Sequence, residues 1–207
     1  MTVPISVIVP IGPLRRHSEF LLECLESINA QTEPPDEIVL VDDSGTFDLP
    51  GELDCPCASN IPNRRIIVPD KVRGIAGGYN AGVEAARNEL IFCMGSDDRL
   101  MVNCLASCYQ AWEHYGHAVG WYFVAVEYSN GYSQNTPCLA AMIPKELFRI
   151  AGGPFKLDGE HNTAGCETEF IDRMLIAGGR LGSTYRVSDD ILYWYRVHAP
   201  ADVTIVK

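Results

Sequence analysis

Continuous apolar runs alternate with amphipathic segments in the first half of the chain. The runs Ile5–Val9, Glu37–Val41 and Leu90–Met94 are rich in β-branched and other apolar residues, as strands buried on both faces of a sheet are. Between the first two runs, apolar residues recur at helical spacing, at Leu21, Leu22, Leu25 and Ile28. The pattern predicts a βαβ unit with a right-handed crossover, and therefore an α/β fold.

The remaining pattern extends this sheet along the chain. A further short strand is predicted over Arg65–Val68, and a polar turn region over Gly131–Pro137. The other predicted elements are helices over Leu100–Tyr115, Pro144–Ile150 and Cys166–Ala177, and strands over Ala118–Tyr128, Leu139–Ile143 and Ile191–Val197. No internal repeat or linker interrupts the order, so we expect one domain.

Composition narrows the class of protein. The 207 residues are 47% hydrophobic and 21% charged, which is typical of a globular chain with a sizeable core. The formal net charge of -11 argues against broad, charge-driven nucleic-acid binding. No apolar stretch has the length of a membrane span. The start of the chain lacks the basic region and apolar length of a signal peptide, which predicts a cytoplasmic protein.

Eight cysteines would suit disulfides in a secreted domain, but the missing signal favours reduced thiols. Four of them lie in apolar patterns and are predicted to be in the core, namely Cys24, Cys93, Cys104 and Cys108. The one notable spacing is Cys55-Pro-Cys57. A zinc site would need a second close pair, and the sequence offers none that is convincing.

Adjacent carboxylates follow two of the predicted strands. Asp42-Asp43 ends the second strand, and Asp97-Asp98 follows the strand Leu90–Met94 after a glycine and a serine. Open α/β sheets bind ligands at the carboxyl ends of their strands, and a divalent cation held by carboxylates and substrate phosphates would relieve the repulsion within a pair. The alternative is a polar turn that stops the strand and caps the next helix.

A glycine-rich run, Lys71–Gly82, leads into a predicted helix. Glycines at a helix start allow a backbone to approach a diphosphate, and Lys71 and Arg73 would add positive charge. The alternative is that Gly74, Gly77, Gly78 and Gly82 only permit tight helix packing. A dinucleotide fingerprint is absent between Val9 and Ser18, which counts against a nicotinamide dehydrogenase.

Taken in order, these landmarks resemble a family 2 glycosyltransferase of the GT-A fold, over nearly the whole chain. The matching segments are 5–10, 27–32 with 37–44, 74–82, 92–98, 165–169 with Arg173, and 195–198. The resemblance implies a single GT-A domain over 1–207, with a mostly parallel mixed sheet flanked by helices. Residues 1–98 would form the half that binds the nucleotide-sugar donor, and residues 99–207 the half that binds the acceptor and supplies the base.

The resemblance also implies site residues. The donor nucleotide would be bound by Pro10, Asp42, Asp43, Arg73, Gly74, Asn80 and Ser96, with Asp43 recognising the base. Asp97 would hold Mn²⁺ or Mg²⁺ against the donor diphosphate, together with Asp98 and His198. Two positions depart from the family pattern: Gly95 stands where the first Asp of the metal motif is usual, and Tyr79 where an Arg is usual.

Glu167 falls where the family places its catalytic base, in a Cys-Glu pair instead of the usual Glu-Asp. The alternative for Glu167 is an acid stabilised by the dipole of a helix start. Glu169 can pair with Arg173 four residues later, which favours a structural role. For His198, a surface position at the end of a strand is the alternative to a ligand role.

The resemblance implies an inverting transfer in which a nucleoside diphosphate sugar, with a UDP-sugar favoured, gives its sugar to an acceptor with a free hydroxyl. Two other hypotheses stay open. A nucleotidyltransferase would also need a carboxylate-bound metal near a nucleotide, and a non-catalytic module of the same fold would bind a nucleotide sugar or a partner. Gly95 and Tyr79 favour the latter.

Overall fold

The structure is a computed structural model that describes residues 2–12, 19–43, 64–67, 74–157, 168–173 and 183–198. The described strands are β1 (Val3–Ile11), β2 (Pro35–Asp42), β3 (Arg64–Ile67), β4 (Leu90–Cys93), β5 (Arg99–Leu100), β6 (Gly120–Tyr128), β7 (Ser133–Gln134), β8 (Ala141–Pro144) and β9 (Ser183–Tyr195). The described helices are α1 (Leu21–Asn29), α2 (Gly74–Ala85), α3 (Cys104–His114) and α4 (Lys145–Ile150), and residues 168–173 are also helical.

All of these strands belong to one sheet, in the order β3-β2-β1-β4-β8-β6-β9-β5, with β7 paired to β6. The pairs within β3-β2-β1-β4 are parallel, as is β6 with β9. Antiparallel pairs join β4 to β8, β8 to β6, β9 to β5 and β6 to β7. The predicted α/β class, with a mixed sheet flanked by helices, is confirmed, and its amino-terminal half is the parallel part.

Alternating residues of the central strands feed two cores. In β1, Val7 and Val9 belong to the core that contains α1 and α3, whereas Ile8 belongs to the core that contains α2. Val7, Ile8 and Val9 are all completely buried, so both faces of the centre of the strand are covered, which explains why its sequence is continuously apolar and not alternating. The four cysteines predicted to lie in the core are buried as thiols, at Cys24, Cys93, Cys104 and Cys108.

Two predicted elements of the second half are corrected by the structure. The helix predicted from Leu100 begins at Cys104, because Arg99 and Leu100 form β5 and pair with β9. The last strand, predicted over Ile191–Val197, begins earlier, because β9 runs from Ser183 to Tyr195, with a shift in its register with β6 between Arg186 and Ile191. Both differences arise from pairing with distant strands, which overrides local propensity. Of the helix predicted over 166–177, the structure describes residues 168–173.

The glycines of the run 74–82 lie inside α2 and not in a loop before it. A Cβ atom on Gly78 would come within 2.9 Å of Pro10 Cβ, and one on Gly82 would overlap Ile8 Cγ2. For these two positions the structure therefore supports the packing alternative, since only glycine lets the helix lie this close to β1. Gly74 starts the helix with a φ of +75°.

We expect Gly82→Ala to lower the free energy of unfolding by about 1–3 kcal/mol, because the added methyl group overpacks a filled core. Urea denaturation of the variant and the parent measures the difference. In an Ile8→Ala background the overlapping methyl is gone, so the same substitution should cost much less. An equal cost in both backgrounds would contradict the packing role of Gly82.

No helix in the described ranges combines the length and apolar character needed to cross a membrane.

Candidate active site

The carboxyl ends of β1, β2 and β4 meet at one edge of the sheet. The register pairs Ile11 with Asp42 and Ile8 with Cys93, and the backbone N–H of Asp43 donates to the carbonyl of Ile11 at 2.9 Å. The Cβ position of Gly78 lies near both Pro10 and Asp43. The structure therefore brings together three of the residues predicted to bind the nucleotide, Pro10, Asp42 and Asp43.

Asp97 and His198 come together at the same edge although 101 residues separate them in sequence. Asp97 Oδ2 and His198 Nε2 lie 2.7 Å apart, and the two side chains are 16% and 14% exposed. They are shielded enough for their electrostatic interactions to be stronger than in bulk water, yet a ligand can still reach them. The structure thus brings together two of the three residues that the family resemblance assigned to a cation site, Asp97 and His198.

Asp98 has a different environment from Asp97. Its Oδ2 accepts a hydrogen bond from the Tyr193 hydroxyl at 2.6 Å, and its Oδ1 accepts one from the backbone N–H of Arg196 at 2.9 Å. Burial and, to a smaller extent, the Asp97 carboxylate raise the pKa of Asp98, and the two hydrogen bonds and the charge of Arg196 oppose them, with a net pKa of about 7. Asp98 therefore fastens the end of β9 to the turn that carries Asp97.

Gly95 leaves room for this carboxylate pair. A Cβ atom at position 95 would lie 2.5 Å from Asp98 Oδ2 and 3.1 Å from Asp97 Oδ1. The backbone N–H of Gly95 also donates to the Tyr193 hydroxyl at 3.1 Å. The glycine that replaces the first Asp of the family motif is thus required by the present packing, because an Asp at this position would displace the carboxylates that follow it.

The donor set suits a divalent cation with few protein ligands. Asp97 and His198 offer one carboxylate and one imidazole, which leaves coordination positions for diphosphate oxygens and water. Within the described residues no group of three His, Cys, Asp or Glu side chains gathers at metal-binding distances. Asp98 stays a predicted ligand, although both of its oxygens already accept hydrogen bonds from the protein.

Arg196 and Tyr193 position this site, although neither residue has a predicted role. Arg196 Nε donates to the Asp97 carbonyl at 3.0 Å, and its Nη2 lies 2.7 Å from Glu23 Oε2 on α1. Its guanidinium carbon lies 3.7 Å from the centre of the Phe20 ring, an arrangement in which cation–π attraction adds to the ion pair. The sequence signal that could have identified them is their position shortly before His198, which ends the predicted strand.

The Asn80 side chain makes two hydrogen bonds to the backbone of Phe155. Its Nδ2 donates to the Phe155 carbonyl at 2.8 Å, and its Oδ1 accepts from the Phe155 N–H at 3.0 Å. The Phe155 ring is buried against Tyr79, Phe148 and Phe170. Asn80 thus anchors the start of the segment that leads to Glu167, and its predicted contact with the donor stays a prediction.

Glu169 has the structural role that its spacing predicted. Its carboxylate pairs with Arg173 at 3.1 Å and with Lys156 at 2.9 Å. Burial raises the pKa of Glu169, but hydrogen bonds from Arg173 and Lys156 outweigh it and hold the pKa below its usual value. Arg173 also donates to the carbonyls of Ala151, Gly153 and Pro154, so helix 168–173 is fixed against the end of α4.

Other predicted site residues have these positions. Ser96 is buried in the turn before Asp97, and Tyr79, which replaces an expected Arg, is buried in the core. Gly74 begins α2. Glu167 and Arg73, the predicted base and a predicted donor contact, lie outside the described residues, as does Cys55-Pro-Cys57.

Comparison with known proteins identifies the family. The model of the family described as "Glycosyl transferase family 2" matches residues 6–168. A curated relative, "Glycosyltransferase GlyG" of Streptococcus pneumoniae serotype 4 (strain ATCC BAA-334 / TIGR4), is 37% identical over 111 residues, which are 53% of this chain and 35% of the relative. The chain therefore spans about a third of the length of that protein.

Solved structures of S. aureus TarS share the fold. One TarS structure has a TM-score of 0.74 at 19% identity, over 98% of this chain and 38% of TarS. TarS 1-349 in complex with UDP has a TM-score of 0.74 at 20% identity, over 98% of this chain and 62% of that one. Its complex with UDP-GlcNAc has a TM-score of 0.75 at 18% identity, over 96% and 59%. Because the family model covers most of the sequence and the fold agrees, this chain belongs to glycosyl transferase family 2.

Proposed function

We propose that this domain transfers a sugar from a nucleoside diphosphate sugar, with a UDP-sugar favoured, to an acceptor hydroxyl. Family membership and the fold shared with TarS, whose complexes contain UDP and UDP-GlcNAc, support the proposal. The observation that carries it is the pairing of Asp97 with His198 at 2.7 Å, at the sheet edge where Asp42 and Asp43 end β2.

In the proposed reaction, the residues named above have three different roles. Asp42, Asp43 and Pro10 would bind the nucleotide, and Asp97 with His198 would hold Mn²⁺ or Mg²⁺. Such a cation would neutralise charge on the diphosphate and make it a better leaving group. Glu167 is proposed to take the proton from the acceptor hydroxyl. Attack from the face opposite the diphosphate would invert the anomeric configuration.

One observation favours a second candidate, a non-catalytic module that binds a nucleotide sugar. Asp98 is engaged by Tyr193 and Arg196, and Gly95 supplies no carboxylate, so the cation site depends on two side chains. In a binding module, the nucleotide would bind but the donor would not be consumed. Donor turnover therefore separates the two candidates.

Calorimetric titration with UDP, GDP, dTDP and CDP, each with and without Mn²⁺, tests the proposal. We expect micromolar binding of UDP, strengthened by the metal, because Asp97 and His198 leave coordination positions for diphosphate oxygens. Release of UDP from a UDP-sugar is then followed to separate the enzyme from the binding module. A folded protein that binds none of the four nucleotides would overturn the proposed function.

A further inference from the structure

Three tyrosines form a cluster at the end of β9 and at the turn between β6 and β7. The rings of Tyr132 and Tyr195 both pack against that of Tyr128, with centroid distances of 5.5 and 5.1 Å. Tyr132 is 61% and Tyr195 is 42% exposed. Large side chains grouped at a surface in this way are typical of binding sites. We call Tyr128, Tyr132 and Tyr195 the tyrosine platform.

The platform adjoins the candidate active site through the pairing of β6 with β9. Val126 pairs with Tyr193, and two residues further along the strands Tyr128 pairs with Tyr195. Alternate residues of a strand share a face, so Tyr195 lies on the same face as Tyr193, whose hydroxyl contacts Asp98. The two residues between Tyr193 and Tyr195 correspond to about 7 Å along the strand. His198 follows Tyr195 by three residues and contacts Asp97.

Backbone and side-chain hydrogen bonds hold the platform in place. The N–H of Tyr128 donates to the Tyr132 carbonyl at 2.8 Å, and the N–H of Ser129 donates to the Tyr195 carbonyl at 2.9 Å. The Tyr132 N–H donates to Asn130 Oδ1 at 3.1 Å, and Gly131 supplies the positive φ of +84° that the turn needs. The backbone that carries the three rings is therefore fixed before a ligand arrives, which lowers the entropic cost of binding.

We propose that the tyrosine platform binds the acceptor, and that the acceptor is a carbohydrate chain. The inference rests on the proposed glycosyl transfer and names its acceptor class. The apolar face of a pyranose ring fits an exposed aromatic face, and tyrosine hydroxyls add hydrogen bonds to sugar hydroxyls. Continuity with Asp97 and His198 places a ring stacked on Tyr195 next to the predicted diphosphate site.

Saturation-transfer NMR tests the proposal with three defined probes: cellotetraose, maltotetraose and the tetramer of N-acetylglucosamine. The protein is measured with UDP and Mn²⁺ present. We expect at least one tetramer to bind the parent, and Tyr132→Ala and Tyr195→Ala each to weaken that binding about fivefold or more, as loss of a central contact residue does. Tyr132→Trp retains an aromatic face and should retain binding.

Tyr115→Ala is the matched control. Tyr115 is also 42% exposed, and its ring lies 4.6 Å from that of Tyr185. Tyr185 pairs with Tyr122, six residues before Tyr128 along β6, so the control lies about 20 Å from the platform. It lines a cleft of about 450 Å³ with Arg186 and His114. Binding that is lost in Tyr115→Ala but kept in the platform variants would place the sugar in this cleft and overturn the proposal.

Two further results would also overturn it: no tetramer binds the parent, or the platform variants bind as well as the parent does. UDP binding in the same samples keeps the two proposals apart. If UDP binds and no tetramer does, the carbohydrate acceptor is refuted while the donor site stands. If UDP does not bind, the proposed function fails whatever the tetramers do.

Discussion

Asp97→Asn is expected to weaken the binding of UDP in the presence of Mn²⁺ by at least about 100-fold, while binding without metal changes little. The variant replaces the carboxylate that faces His198 at 2.7 Å with a neutral amide, which is a poor ligand for a hard cation. Loss of an outer partner of a metal ligand alone costs about 10–100-fold, so loss of the ligand itself should cost at least as much. Calorimetry gives both affinities.

Further variants test whether this loss reflects binding of one cation by Asp97 and His198. His198→Gln should cause a similar loss, and the double variant should lose little more than either single one, because both residues are proposed to hold the same ion. Asp190→Asn removes the same charge from an exposed position of β9 and should leave the enhancement by Mn²⁺ intact. Equal enhancement in Asp97→Asn and Asp190→Asn would remove Asp97 from the cation site.

Glu37→Ala is expected to lower the free energy of unfolding by about 1–3 kcal/mol, the cost typical of leaving a buried polar group unsatisfied. Glu37 is 2% exposed and lies where β1, β2 and β3 begin. Its carboxylate accepts hydrogen bonds from the Ser6 hydroxyl at 2.6 Å, the Arg87 N–H at 2.8 Å and Arg65 Nη1 at 3.1 Å. The variant would leave these donors without their acceptor. Urea denaturation at pH 7 measures the loss.

Glu146→Ala is the matched control, because its ion pair with Arg149 is exposed on both sides. Such pairs contribute about 0–1 kcal/mol. If the two variants lose the same stability, Glu37 does not organise the start of the sheet.

The stability contributed by Glu37 should also depend on pH. Burial raises the pKa of Glu37, but hydrogen bonds from Arg87, Ser6 and Arg65 and the charge of Arg65 outweigh it and hold the pKa below its usual value of 4.5. A lowered pKa in the folded state stabilises the protein above pH 4.5, and this contribution is lost as the pH falls through the folded-state pKa. The difference between the parent and Glu37→Gln should therefore shrink on acidification. A difference that grows at low pH would contradict this assignment.

The local pattern was sufficient for the parallel half of the sheet. Strands β1, β2 and β4 are buried on both faces, so their sequences are continuously apolar, and this signal does not depend on their partners. The carboxylates that follow two of them, Asp43 and Asp97, had to lie at the same edge once the strands were parallel. The spacing of Glu169 and Arg173 likewise predicted their ion pair, because residues four apart are neighbours on a helix.

Distant contacts decided the rest. Whether Gly82 faces a ligand or a strand depends on Ile8, 74 residues earlier, and local sequence carries no information on that contact. Arg99 and Leu100 left the predicted helix because they pair with β9. The roles of Tyr193 and Arg196 exist only because β9 returns to the turn that carries Asp97 and Asp98. Local sequence was therefore enough to predict the parallel strands of the first half and the edge at which the site lies, since burial and periodicity are local properties. Which side chains meet there depends on the folded chain, since each of those contacts joins residues about 70–100 positions apart.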